Sequence, residues 1–170
     1  MKDKIVLIGM PGCGKTTIGK ILANDLSYNF YDMDDYIEKM TNKSVGDLFS
    51  ISEDYFRDKE TEACKELINK RKAIISSGGG VVKKKVNIDI LKKDCIIVFI
   101  DRDVEDILND LDSDSRPLLK GNKERIYNLY KERYELYKKS ADIIIKNNKT
   151  IKDIVNEIIK QTSSLVKEKW

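Results

Sequence analysis

The sequence predicts a three-layer α/β fold built on a parallel sheet, and three observations carry that prediction. Ile5-Val6-Leu7-Ile8 is an unbroken apolar run, without the alternation of a half-exposed strand, as expected for a strand covered on both faces. Short strand-like runs alternate with segments of helical period along the chain. Polar or glycine-rich clusters directly follow several of those runs, where open parallel sheets bind their ligands.

Taken in order, the first strand leads through Gly9 to Thr16 into a helix, on which Ile18, Ile21, Leu22 and Leu26 recur at helical spacing. Asn29-Phe30-Tyr31 gives a second, short strand ending in Asp32-Met33-Asp34, and Asp34 is expected to cap a brief helix through Tyr36, Ile37 and Met40. Ser44-Val-Gly-Asp47 resembles a capping box before Leu48-Phe49. Ser52 caps a longer helix from Glu53 to about Asn69, whose buried stripe is Phe56, Ala63, Cys64, Leu67 and Ile68. Ala73 to Ser76 is a third strand, followed at once by Gly78-Gly79-Gly80. Cys95 to Ile100 is a fourth, ending at Asp101 and followed by a helix through Val104, Ile107, Leu108 and Leu111. Asp112 to Pro117 is polar and turn-rich and predicts a loop. A helix from about Lys123 to Lys138, a fifth strand from Ala141 to Ile145 and a closing helix capped by Thr150 complete the pattern, with a tail from Gln161 to Trp170 expected to fray. No repeat or linker divides the chain, so 1-170 is expected to form a single domain.

Gly9-Met-Pro-Gly-Cys-Gly14-Lys15-Thr16 fits G-x-x-x-x-G-K-[ST] at every fixed position, between a strand and a helix. Gly9, Gly12 and Gly14 permit a backbone that aims successive N–H groups at one anion, and the helix dipole reinforces it. Lys15 is placed to reach β- and γ-phosphates, and the Thr16 hydroxyl to ligate Mg²⁺. The motif therefore predicts a nucleotide site.

Composition excludes several other chemistries. The charge is nearly balanced, 32 basic against 29 acidic residues, so runs such as Lys83-Lys84-Lys85 read as solvated faces and not as a nucleic-acid stripe. With no histidine and only Cys13, Cys64 and Cys95, neither a structural zinc site nor a histidine base is available. Cys64 and Cys95 fall in apolar patterns, whereas Cys13 at a helix N-terminus is a site where oxidation could block phosphate binding. The run Cys95 to Ile100 is too short to span a bilayer and Met1-Lys2-Asp3 opens no signal peptide, so a cytoplasmic protein is expected.

The polar groups after the strands should converge on one cleft. Asp32 and Asp34 could serve there as a water-mediated metal ligand and as an acceptor for a substrate hydroxyl, or they could be a helix cap and a surface acid. Three successive glycines admit a ligand close to the backbone, although a merely flexible loop is the alternative. Arg133 falls on the apolar face set by Ile126, Leu129, Tyr130 and Tyr137, and an inward arginine needs an anionic partner, from the protein or from a ligand. Arg57 has Glu60 three residues on, the spacing of an ordinary helix pair. Two such arginines beside an anion-holding cleft favour a carboxylate substrate, and Arg116 in the turn-rich loop reads as a lid residue that closes over phosphates.

G-x-P-G-C-G-K-T-T, D-x-D, F-R-x-x-E from Phe56 to Glu60, G-G-G, R-P-L-L from Arg116 to Leu119 and R-x-x-x-Y from Arg133 to Tyr137 resemble shikimate kinase in order and spacing, over about Lys4 to Ile159. The resemblance implies a P-loop kinase fold of the nucleoside-monophosphate-kinase type, with sheet order 2-3-1-4-5. It further implies Mg²⁺-dependent phosphoryl transfer from ATP to the 3-hydroxyl of shikimate, a step of aromatic amino acid biosynthesis. On the matching positions, Gly12, Cys13, Gly14, Lys15, Thr16 and Thr17 hold the nucleotide, Thr16 and Asp32 the metal, and Asp34, Arg57, Gly79, Gly80 and Arg133 shikimate. Lys15, Asp34 and Arg116, the last from a lid over about 112-121, act on the transferring group. The expected partners are ATP and shikimate, without nucleic acid or membrane, and the chain is expected to be a monomer. Where members of the family often carry an arginine shortly before R-P-L-L and a proline after the last strand, this chain has Asn109-Asp110-Leu111 and Asn147-Asn148-Lys149-Thr150. Competing readings are another small-metabolite kinase of the same fold, such as a gluconate kinase, or a non-catalytic nucleotide switch. A guanine switch would carry N-K-x-D, which neither Asn42-Lys43-Ser44-Val45 nor Asn122-Lys123-Glu124-Arg125 supplies.

Overall fold

The computed structural model describes residues 2–113 and 123–167. In chain order the elements are β1 (Lys4–Ile8), α1 (Lys15–Leu26), β2 (Asn29–Asp32), α2 (Met33–Thr41), α3 (Val45–Ile51), α4 (Glu53–Leu67) and β3 (Ala73–Ser76). A single 3₁₀ turn (Val81–Lys83) then precedes α5 (Lys85–Asp94), β4 (Cys95–Asp101), α6 (Val104–Ser113), α7 (Lys123–Ser140), β5 (Ile143–Lys146) and α8 (Ile151–Lys167). The strands form one sheet in the order β2-β3-β1-β4-β5, every pairing parallel. The central strands β1, β3 and β4 are buried at every position, because helices cover both faces.

Register explains why the polar clusters meet. Ser76 of β3 is level with Leu7 of β1 on one side and with Asp32 of β2 on the other. Gly78, Gly9 and Asp34, each two residues further along, therefore leave the sheet at the same edge.

Several boundaries differ from the sequence expectation. Asp32, not Asp34, caps α2: its backbone is still extended, and its carboxylate accepts from the Asp35 N–H at 3.1 Å. Asp34 consequently falls in the first helical turn with its side chain free for other work. β5 begins at Ile143 and not at Ala141, and α6 continues to Ser113, into the stretch expected to be loop. α8 runs to Lys167, so the expected fraying from Gln161 does not occur there; Thr162 is buried and its hydroxyl donates to the Ile158 carbonyl at 2.7 Å. α5 is an element the sequence expectation does not include. Ile21, expected on the buried stripe of α1, is exposed.

The basic run is dispersed into ion pairs: Lys83 with Glu53 and Glu132, Lys84 with Asp58, Lys85 with Asp89. Cys64 and Cys95 are core residues as expected; burial pushes both thiols up, Cys95 to about 12, which keeps them unreactive. Among the described residues no helix is long and apolar enough to cross a membrane.

Candidate active site

The loop between β1 and α1 takes its shape from three glycines with positive φ, 149° at Gly9, 81° at Gly12 and 103° at Gly14. Gly14 is the left-handed N-cap of α1. The Gly12 carbonyl accepts from the Arg102 guanidinium at 3.0 Å and the Cys13 carbonyl from Asn147 Nδ2 at 2.8 Å, so the ends of β4 and β5 fix the loop. The Lys15 ammonium is buried, folded over the loop and donating to the carbonyls of Gly9 at 2.8 Å and Met10 at 3.0 Å. Cys13 is fully buried beneath it, 3.7 Å from Lys15 Nζ. The solvent access that oxidation of Cys13 requires is missing, which argues against a redox role for it.

At the start of α1, Thr16 Oγ1 lies 3.3 Å from Asp32 Oδ2 and 3.4 Å from Ser76 Oγ. The other oxygen of Asp32 is the one engaged in capping α2. This leaves three oxygen donors in one corner, the ligand type that suits a hard divalent cation. Ser76 escaped the sequence reading; its only signal was a polar residue closing an apolar strand.

These groups line a cavity of about 730 Å³ that also takes in Gly12, Gly14, Thr17, Asp34 and Gly79. Its far end is formed by Arg102, Ile107, Asp110 and Lys149, among others. Arg102 also pairs with Asp110 at 2.6 Å. Arg57, Gly80 and Arg133 do not line the cavity; they adjoin it across the glycine loop.

That loop is packed against both guanidinium groups. A β-carbon at position 80 would stand 2.5 Å from Arg57 Cζ, and one at position 79 would stand 3.2 Å from an Arg133 terminal nitrogen. Tyr137, wholly buried and stacked on Phe99 at 5.2 Å, donates its hydroxyl to the Gly79 carbonyl at 2.5 Å. Arg57 is held by Glu60 at 3.1 Å and Glu53 at 3.4 Å, and lies over the rings of Phe56 and Phe49. The helix pair with Glu60 thus exists, but both partners are buried. Arg133 is 7% exposed, and no carboxylate of the described residues lies within ion-pair distance of it.

Four buried side-chain atoms of the described residues lack a hydrogen-bond partner, Asp34 Oδ1, Arg57 Nε, Glu60 Oε2 and Arg133 Nε. All four belong to this one region. Asp34 Oδ1 and Glu60 Oε2 both come within 3.1 Å of the position a β-carbon on Gly78 would occupy. Burial raises the Asp34 carboxyl above its ordinary range, with the Asp32 charge adding and Lys15 opposing. Burial likewise raises Glu60, against the lowering influence of Arg57. Glu60 was seen in the sequence only as the partner of Arg57, although it falls on the apolar stripe between Phe56 and Cys64. Arg116 and most of the 112-121 lid lie outside the described residues.

A P-loop and an oxygen-lined corner, beside a largely buried cluster of two arginines and two carboxylates on a 2-3-1-4-5 parallel sheet, define a P-loop kinase of small molecules. The shikimate kinase family model matches residues 11–163, and the chain belongs to the shikimate kinase family, ATP-dependent phosphotransferases acting on an alcohol. A shikimate kinase of Clostridium beijerinckii is 59% identical over 158 residues, covering 93% of this chain and 94% of that protein. The solved structure of shikimate kinase from Acinetobacter baumannii in complex with shikimate is 32% identical, with a TM-score of 0.85 and coverage of 95% and 93%. A gluconokinase structure from Sinorhizobium meliloti, 17% identical with a TM-score of 0.62 over 95% of this chain and 92% of that one, shares the fold alone.

Proposed function

We propose that this chain transfers the γ-phosphoryl group of ATP to the 3-hydroxyl of shikimate, with its own residues in the following roles. The observation that carries the acceptor assignment is the largely buried cluster of Asp34, Arg57, Glu60 and Arg133 beside the cavity, whose four unpartnered atoms suit a ligand bearing both a carboxylate and hydroxyls. Arg133, without a carboxylate partner, supplies the charge for the substrate carboxylate; Arg57 adds a second guanidinium already oriented by Glu60. Gly79 and Gly80, without β-carbons, bring their backbone against the two guanidinium groups and so help set where the acceptor carboxylate sits.

On the donor side, the N–H groups of Gly12 to Thr17 cradle the phosphates. Lys15 exchanges its two carbonyl partners for phosphate oxygens as charge moves toward the leaving oxygen. The Thr16 hydroxyl, with Asp32 through water, fits Mg²⁺, because their corner offers only oxygens and Asp32 Oδ2 faces Thr16. The chemistry that bound Mg²⁺ supplies is neutralisation of the β- and γ-phosphate oxygens. Asp34 accepts the hydrogen bond of the attacking 3-hydroxyl and takes its proton as the new O–P bond forms and the bond to ADP breaks. Its raised carboxyl suits it to hold that proton.

The test is ADP release from ATP with shikimate, gluconate or AMP as acceptor, and phosphorus NMR of the product. Shikimate-dependent ADP release with a new phosphomonoester signal is expected. ADP release that shikimate does not stimulate, or faster turnover of gluconate or AMP, overturns the reading.

A further inference from the structure

Asn87 is a fully buried polar residue in the first turn of α5, outside the set of groups the proposed reaction uses. A buried amide is costly unless paired, and this one is paired at both ends. Its Nδ2 donates to the Val81 carbonyl at 3.1 Å, and its Oδ1 accepts from the Thr61 hydroxyl at 2.6 Å. Val81 directly follows the glycine loop. Thr61 lies one turn beyond Arg57 on α4, and its hydroxyl is also 3.1 Å from the Arg57 carbonyl. The amide therefore spans from the turn that ends the glycine loop to the turn of α4 that carries Arg57.

The spacing between those two segments has no slack. Gly80 packs so closely on the Arg57 guanidinium that no β-carbon fits between them. Within the turn, backbone bonds from Val81 to Gly78 and from Lys83 to Gly80 transmit the position of Val81 back to the glycines. An apolar residue of similar volume at 87 would fill the same space without fixing that separation. We propose that the Thr61–Asn87–Val81 chain of hydrogen bonds sets the distance between Gly79-Gly80 and Arg57, making Asn87 and Thr61 positioning residues for the acceptor carboxylate. This assignment rests on the shikimate reading above for its kinetic readout only.

Two near-isosteric variants test it, Asn87→Leu and Thr61→Val, each measured by steady-state kinetics and by amide hydrogen exchange without ligand. A misplacement on the order of 1 Å is enough for large losses in a positioned site. The KM for shikimate should rise about 10-fold in Thr61→Val, while kcat and the KM for ATP stay within about 2-fold, the pattern of lost acceptor binding. Exchange at residues 79–83 should quicken in the ligand-free protein, with β1 and α1 unchanged. Asn87→Leu, where folded, should show the same pattern, and the double variant should be little worse than either single one, because one chain is cut twice. Wild-type KM and wild-type exchange at 79–83 in Thr61→Val overturn the proposal. So does faster exchange there with an unchanged KM, or a parallel rise in both KM values with exchange quickened across the sheet. A wild-type protein that does not phosphorylate shikimate refutes the function instead, and the ligand-free exchange comparison then decides the positioning role alone.

Discussion

Gly80→Ala tests the acceptor recess at its tightest point. The backbone there, with φ near −96°, suits alanine, so any effect comes from the added methyl group and not from strain. That methyl would stand 2.5 Å from Arg57 Cζ, against an optimum near 3.5 Å between carbons, so the guanidinium must retreat by about 1 Å. Retreat is resisted, because Arg57 is buried, tied to Glu60 and Glu53, and flanked by two phenylalanine rings. Overpacking of this kind costs about 1–3 kcal/mol of stability, and a shift of about 1 Å in a positioned group can cost roughly 100-fold in turnover efficiency. Gly79→Ala meets Pro11 at 3.0 Å and Arg133 at 3.2 Å, and should be milder. Gly46→Ala, in α3 with its nearest neighbour at 3.7 Å, should be neutral or stabilising by up to about 1 kcal/mol. Thermal melts and kcat/KM for shikimate, measured side by side, should rank the three as Gly80→Ala worst, then Gly79→Ala, then Gly46→Ala. Wild-type stability and kcat/KM in Gly80→Ala would refute the claim that the loop and Arg57 are in close-packed contact.

Further outcomes follow from the charges. Lys15→Ala should lower kcat by roughly 10²–10³-fold with an unchanged circular dichroism spectrum; near-wild-type turnover removes Lys15 from the transition state. Arg133→Ala and Arg57→Ala should both weaken shikimate binding, by about 2–5 kcal/mol in calorimetric titration, with ATP binding little changed. Only Arg57→Ala should also lower the melting temperature steeply, by about 3–5 kcal/mol of stability, because it strands buried Glu60. Asp34→Asn should abolish turnover while making the ligand-free protein more stable at neutral pH. The folded-state carboxyl is raised above 3.8, so the native state binds more protons across that window and wild-type stability falls as pH rises through it. The stability gap between Asp34→Asn and wild type should therefore open with rising pH and close below the ordinary carboxylate range.

What the sequence disclosed was whatever depends on spacing within one segment. The phosphate loop was legible because its chemistry needs glycines and a Lys-Thr pair at fixed offsets, and Arg133 because a cation on an apolar helical face is a local contradiction. Glu60 presented the same contradiction, but its i,i+3 relation to Arg57 offered a simpler reading. The swap of Asp32 for Asp34 as helix cap turned on where β2 stops, a matter of two residues that pairing with β3 decides. Ser76, Tyr137 on the Gly79 carbonyl, and Arg102 with Asn147 on the phosphate loop join residues distant in sequence, which no local pattern announces. Asn87 is equally silent in the sequence, since its two partners, Thr61 and Val81, lie on other elements.

The distribution of charge in the recess bears on which acceptor it fits. Arg57 is largely neutralised by Glu60, and Asp34 sits close enough to both Asp32 and Lys15 to be influenced by each. Arg133 is the buried cation of this cluster with no carboxylate of the described residues within ion-pair distance, although its charge reaches Glu60. One carboxylate from the acceptor would give Arg133 the direct ion-pair partner it lacks. A dianionic phosphate in the same place would set a surplus negative charge beside Asp34 and Glu60, whose carboxyls burial already disfavours as anions. A neutral polyol would leave Arg133 without a direct ion-pair partner. We propose that this arrangement favours a monoanionic, hydroxylated acceptor such as shikimate, with one carboxylate and a set of hydroxyls, over a nucleoside monophosphate.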